Sequence, residues 1–251
     1  CIACNQACLD HVFEQKRATC LVNPRACFET ELTFPPVAAA KKLAVVGGGA
    51  AGMSFAAHAA ERGHAVTLFE AAPELGGQLN IAKQVPGKEE FHETLRYFAR
   101  RLAVAGVDVR TSTPATAEGL APFDEVVLAS GVRPRTPEIP GIDHPKVVSY
   151  PDLLLGRKTA GEKVAIIGAG GIGFDVAEFL VQGGHGPSTE AYLKEWGVDA
   201  AHATRGGLLE KPEAPKPARQ VVMCQRKADR MGASLGKTTG WIHRASLKAF
   251  K

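Results

Sequence analysis

Leu43-Ala44-Val45-Val46-Gly47-Gly48-Gly49-Ala50-Ala51-Gly52 is the stretch whose reading decides the fold. Four apolar residues run into a glycine cluster, and residues 53–62 then carry a helical pattern closed by Gly63. The sequence reads as strand, tight turn and helix. Gly47, Gly49 and Gly52 keep the spacing G-x-G-x-x-G. That spacing allows the sharp turn, lets backbone N–H groups approach a pyrophosphate, and lets the helix lie close on the strand. Ala65 to Phe69 forms the next strand and ends on Glu70, 23 residues after Gly47. A carboxylate there accepts hydrogen bonds from ribose hydroxyls. The motif alone is weak; with strand, helix and acid in register it is specific.

The pattern recurs once. Val164 to Ile167 is a strand, Gly168-x-Gly170-x-x-Gly173 the turn, and Phe174 to Val181 the helix. Gln220 to Cys224 is the partner strand, running on into Gln225-Arg226-Lys227. No acid stands at the ribose position, and two cations come directly after it. A carboxylate repels a 2′-phosphate, whereas Arg and Lys bind one, so Arg226 and Lys227 point to NADP(H). The alternative is that both are ordinary solvated charges.

The expected fold class is therefore α/β, with two Rossmann-like units of the glutathione-reductase type behind a short cysteine-bearing segment. Residues 1–40 are that segment and its linker, 41–160 the first unit and 161–251 the second. In the first unit, residues 88–105 form a helix with Phe91, Leu95, Phe98 and Leu102 on one face. Glu125 to Ala129 is expected as a further buried strand, and residues 133–141 as irregular chain. Residues 183–219, rich in Gly, Pro and charge, read as a long insertion. A parallel sheet needs more strands than the second unit offers, so the chain is expected to be the middle piece of a longer protein.

Four of the six cysteines, Cys1, Cys4, Cys8 and Cys20, are spaced C-x2-C-x3-C-x11-C. Thiolates hold Zn²⁺ tetrahedrally or cage an iron–sulfur cluster. The second C-x2-C pair usual for structural zinc is missing. Three thiolates on one loop plus a distant fourth suit a cubane better, with zinc and unligated core cysteines as the other readings. Cys27 is expected to be a small buried hydrophobe.

A net charge of +4 with 6% aromatic residues excludes an extended nucleic-acid surface. The longest apolar run, Val164 to Phe174, is too short to span a bilayer. No charged-then-apolar leader argues for secretion, so a cytoplasmic location without membrane partners is expected. Gly232-Ala-Ser-Leu-Gly236-Lys237-Thr238 imitates a phosphate loop, but its spacer is one residue short and no strand precedes it. The dispersed histidines, His11 and His243 included, read as surface or packing groups.

Cys1-Ile-Ala-Cys4-Asn5-Gln6-Ala7-Cys8 and Cys20-Leu-Val-Asn23-Pro24-Arg25-Ala26-Cys27 resemble the cluster segment of the bacterial NADPH-dependent 2,4-dienoyl-CoA reductases, in the old-yellow-enzyme and trimethylamine-dehydrogenase group. The resemblance continues through residues 75–83, Ala129-Ser130-Gly131, residues 168–175 and residues 235–241, so it covers essentially the whole chain. It implies that Cys1, Cys4, Cys8 and Cys20 ligate a [4Fe-4S] cluster. It implies FAD on the first fold, at Gly47, Gly49, Ala50, Gly52, Glu70, Gly77, Gln78, Ala129 and Gly131. NADPH would occupy the second, at Gly168, Gly170, Gly173, Arg226 and Lys227. FMN and an unsaturated acyl-CoA would sit in an N-terminal α/β barrel that this chain lacks, so no catalytic residue is assigned. Rival readings are an enoate reductase or amine dehydrogenase of the same group, and a zinc-stapled nucleotide-binding module without redox work.

Overall fold

The structure, a computed structural model, describes residues 1–184, 186–209 and 216–250. In chain order the first elements are α1 (Leu9–Phe13), β1 (Lys42–Val46), α2 (Ala50–Glu61), β2 (Ala65–Phe69) and α3 (Leu79–Ala82). They are followed by α4 (Glu90–Val104), β3 (Asp108–Arg110), α5 (Ala117–Leu120) and β4 (Glu125–Leu128). Then come α6 (Tyr150–Leu154), β5 (Lys163–Ile167), α7 (Gly171–Val181), α8 (Thr189–Glu195), β6 (Gln220–Cys224) and α9 (Gly240–Ala249). A single 3-10 turn lies at Arg205–Gly207.

The chain divides into two compact units. One comprises Cys1–Ala3, Arg17–Lys83 and Glu89–His144; the other comprises Cys4–Lys16, Gln84–Lys88 and Pro145–Lys251. In the first unit four parallel strands lie in the order β3-β2-β1-β4. That order reverses direction between β1 and β4, and ligands of open α/β sheets bind beyond the carboxyl ends of the strands at such a point. The core packs Leu43, Val45 and Leu68 of the sheet against Met53 and Ala56 of α2 and Phe98 and Leu102 of α4. A leucine as deeply buried as Leu102 is worth about 2–5 kcal/mol against alanine. Arg101 forks onto Glu61, with Nε–Oε1 and Nη2–Oε2 both 2.6 Å, and ties α4 to the end of α2. That pair holds the Glu61 carboxyl below its usual range. Being half-exposed, it contributes under about 1 kcal/mol.

Both glycine-turn helices begin three residues earlier than composition indicates, at Ala50 and Gly171 instead of Met53 and Phe174. The third glycine of each motif lies inside the helix, where its missing side chain serves a close approach and breaks nothing. Strand β4, expected to be buried, is exposed: Leu128 is 75% and Val126 40% accessible. It is an edge strand, paired only with β1 among the described residues, and burial of an edge strand depends on cover that its own residues do not encode.

In the second unit β5 pairs with β6 in parallel register. Val164, Ile166, Val221 and Met223 turn towards α7, whose Phe174, Ala177 and Leu180 are buried. The opposite face leaves Ile167 and Val222 exposed. The stretch read as an insertion holds α8 and the 3-10 turn, with α8 capped by the Ser188 hydroxyl, which accepts from the Ala191 N–H. Its residues 185 and 210–215 lie outside the described residues.

His243 of α9 is half-buried and its Nδ1 lies 3.0 Å from Oε1 of Glu178, itself only 5% exposed on α7. The hydrogen bond to Glu178 raises the His243 pKa above its ordinary value. Burial opposes the shift, attraction to Glu178 and Asp175 adds to it, and Lys88 subtracts from it. Lys88 is itself paired with Asp175 at 2.6 Å. A histidine raised in the folded state contributes stability that is full below its unfolded pKa and lost as pH rises through the folded one. The thermal midpoint is therefore expected to fall as pH climbs above about 6.5, and His243→Gln to flatten that slope. A wild-type midpoint whose pH slope His243→Gln leaves unchanged contradicts the assignment.

Candidate functional site: two glycine turns

The first turn is built by a close approach that only glycine permits. A Cβ on Gly52 would stand 1.8 Å from the carbonyl oxygen of Gly47. Gly47 has φ +111°, and its N–H donates to the Phe69 carbonyl at 2.8 Å. The turn is thereby stitched to the end of β2. At the neighbouring end of β4, the Ala129 N–H donates to Val46, and the Ala129 carbonyl lies where a Gly47 side chain would be. Gly49, the N-cap of α2, faces open space. No side chain caps α2. Its first N–H groups and positive dipole end are thus presented to an anion.

Glu70 is already engaged. Its Oε2 accepts from the Gly48 N–H and its Oε1 from the Ala72 N–H, each at 2.7 Å. These bonds aim the carboxylate at the mouth of the turn, and each oxygen retains a further lone pair. Gly77, at φ +53°, rests over Gly49, and the Gly76 N–H donates to the Gly48 carbonyl at 2.8 Å. The Gln78 amide donates to the Val132 carbonyl at 2.9 Å, placing it beside Gly131. Gly47, Gly49, Ala50, Gly52, Glu70, Gly77, Gln78, Ala129 and Gly131 thus gather around the carboxyl ends of β1 and β4. Sequence reasoning passed over Asn80. This buried amide donates to the Leu75 carbonyl at 3.0 Å, receives Lys83 at 2.8 Å, and holds the 75–77 loop against the turn. A polar residue inside a loop helix was the only available signal.

The second turn repeats the construction. A Cβ on Gly173 would meet the Gly168 carbonyl at 2.1 Å, Gly168 has φ +120°, and its N–H donates to Cys224 at 2.8 Å. Gly170 caps α7 over open space. Because Gly168 bonds Cys224 as Gly47 bonds Phe69, the residue equivalent to Glu70 is Gln225. Its amide folds back, donating to the Lys227 carbonyl at 3.0 Å and to the Asp229 carbonyl. Arg226 and Lys227 come next, both exposed.

All six cysteines are free thiols. Among the described residues no three His, Cys, Asp or Glu side chains group as a metal cage. The donor set itself suits a soft metal. Cys1 Sγ accepts from the Ala3 N–H at 3.3 Å and Cys20 Sγ from the Asn23 N–H at 3.4 Å, bonds of the kind that stabilise a thiolate. Cys27, expected inside, is exposed at φ +63°. Its carbonyl accepts from Arg17 and its N–H donates to Glu29, so the turn's backbone fixes it at the surface.

Residues 41–195 match the family model of the pyridine nucleotide-disulphide oxidoreductases. The chain belongs to this family. Over 99% of its length it is 35% identical to a metal reductase of Desulforamulus reducens, of which it spans 37%. It is 38% identical to a cinnamate reductase of Clostridium sporogenes, over 73% of this chain and 28% of that one. A solved 2-naphthoyl-CoA reductase superposes on the whole chain with TM-score 0.81 at 28% identity, the match covering 33% of that protein. The chain thus spans about a third of the length of the relatives it matches. The expected α/β parallel-sheet dinucleotide fold is established. No helix among the described residues is long and apolar enough to cross a membrane.

The two kinds of glycine separate experimentally. Gly49→Ala is expected to fold with unchanged stability, to within about 0.5 kcal/mol, yet to lose dinucleotide from the first turn, measured as bound cofactor after desalting. Gly52→Ala is expected to cost several kcal/mol through the clash at 1.8 Å. Retention of cofactor by a folded Gly49→Ala chain contradicts the placement.

Proposed function

We propose that this chain is the electron-input portion of an NADPH-dependent iron–sulfur flavoprotein reductase, with FAD on the first glycine turn and NADPH on the second. The observation that carries the reading is the difference between two equivalent positions. Glu70 offers a carboxylate to a ribose, whereas Gln225 offers a neutral amide whose own donors are spent on the 225–229 turn. Arg226 and Lys227 are exposed directly after it, and the position equivalent to Glu70 carries no acid to repel a 2′-phosphate.

Each part then has a defined task. The N–H groups opening α2 and α7 would hold pyrophosphates, Glu70 would accept from the adenosine ribose of FAD, and Arg226 would fork onto the 2′-phosphate on the adenosine ribose of NADPH. Cys1, Cys4, Cys8 and Cys20 are the proposed ligands of a [4Fe-4S] cluster, in keeping with their all-thiol chemistry and the N–H bonds on Cys1 and Cys20. When bound, FAD accepts electron pairs and the cluster passes them on singly. FMN and substrate lie outside this chain. A conjugated acyl-CoA, as in a 2,4-dienoyl-CoA reductase, is the proposed substrate class. The names of the cinnamate and 2-naphthoyl-CoA reductases among the similar proteins support reduction of an activated carbon–carbon bond. An amine dehydrogenase, sending electrons outward, has no use for the cations after β6.

Anaerobic purification is expected to yield FAD, with iron and acid-labile sulfide at about four each per chain. Arg226→Glu is expected to weaken NADPH binding about tenfold or more while leaving NADH within about twofold. Zinc in place of iron removes the cluster, and equal losses for both nucleotides remove the NADP assignment.

A further inference from the structure

The turn that imitates a phosphate loop is occupied by the protein's own carboxylate. Asp10 Oδ1 accepts from the Thr238 N–H at 2.9 Å and from the Thr238 hydroxyl at 2.8 Å. Its other oxygen lies against Gly236, where a Cβ would stand 2.6 Å away. Lys237 lies 3.6 Å from Glu14, one turn further along the same segment. Two acids of residues 4–16 thus meet the donors and cation of residues 236–238.

Both sides of this contact are anchored. The Asp10 N–H donates to the Asn5 carbonyl at 3.0 Å, and Asn5 sits at φ +56°, so Asp10 closes the loop that carries Cys4 and Cys8. Gly232 rests on the Phe174 ring of α7, and its carbonyl accepts from Arg244 of α9 at 3.0 Å. Leu235 reaches the start of α7 at Gly171.

We propose that Asp10 is a positioning residue, latching the Cys4–Cys8 loop into an anion-binding turn at residues 236–238. The latch connects the cysteine loop, through Leu235, to the helix that opens the second glycine turn. It stands whatever the cysteines bind and whichever nucleotide the second turn takes.

Hydrogen exchange on the whole chain, read by mass spectrometry over residues 4–16, 232–240 and 163–167, tests the latch. Asp10→Ala is expected to speed exchange of residues 4–16 about tenfold, the scale of a lost charge-assisted hydrogen bond, with residues 163–167 unchanged. Gly236→Ala, which expels the carboxylate while leaving every donor in place, is expected to match it. Asp10→Asn, which keeps an acceptor oxygen, and Thr238→Ser, which keeps the hydroxyl, are expected to restore most of the protection. Combining Asp10→Ala with Thr238→Val is expected to add little to Asp10→Ala alone. Unchanged exchange of residues 4–16 in both Asp10→Ala and Gly236→Ala overturns the proposal. So does an equal acceleration at residues 163–167, which marks general destabilisation, or failure of Asp10→Asn to rescue.

Discussion

The approach of a helix to the end of its own strand governs what this chain can do. Gly52 lies against the Gly47 carbonyl, and Gly173 against that of Gly168, with no room for a methyl group in either place. The contact brings each helix so near that its first N–H groups open onto the carboxyl end of the sheet. Open space at Gly49 and Gly170 lies at the N-caps of those helices. Had either third glycine been alanine, helix and strand would separate and the anion site would be lost with the packing.

Two turns of the same construction differ in the residues that succeed the partner strand. In the first unit the Glu70 carboxylate is fixed by two backbone N–H groups, so its charge is aimed before any ligand arrives. In the second, Gln225 spends its amide on its own turn, and the cations Arg226 and Lys227 follow it directly in the chain. Hydrogen-bonding groups arranged in advance cost little reorganisation on binding. On the proposed reading, three residues on the same scaffold would separate a free ribose from a phosphorylated one.

What the sequence disclosed and what it hid divide by range. β1, β2, β5 and β6 and their glycine turns were readable because each rests on neighbours in sequence, and the Glu70 position came from strand length alone. The helices start three residues before the expected positions because the whole glycine motif reads as turn, whereas its third glycine lies inside the helix at the close contact. Exposure of β4 was hidden, since burial of an edge belongs to whatever covers it. The Asp10–Thr238 pair spans 228 residues, and Glu178–His243 spans 65. No local pattern announces either. The cysteine quartet is the reverse case: its spacing alone singles it out, with no long-range contact behind the reading.

The most direct test is equilibrium titration of the intact chain with 2′,5′-ADP and with 5′-AMP, ligands that differ only by the ribose phosphate. If Arg226 and Lys227 read that phosphate in the absence of an acid, 2′,5′-ADP binds at one site about tenfold or more tighter. Equal affinities for the two would contradict the central claim that the residues after β6 set the second nucleotide.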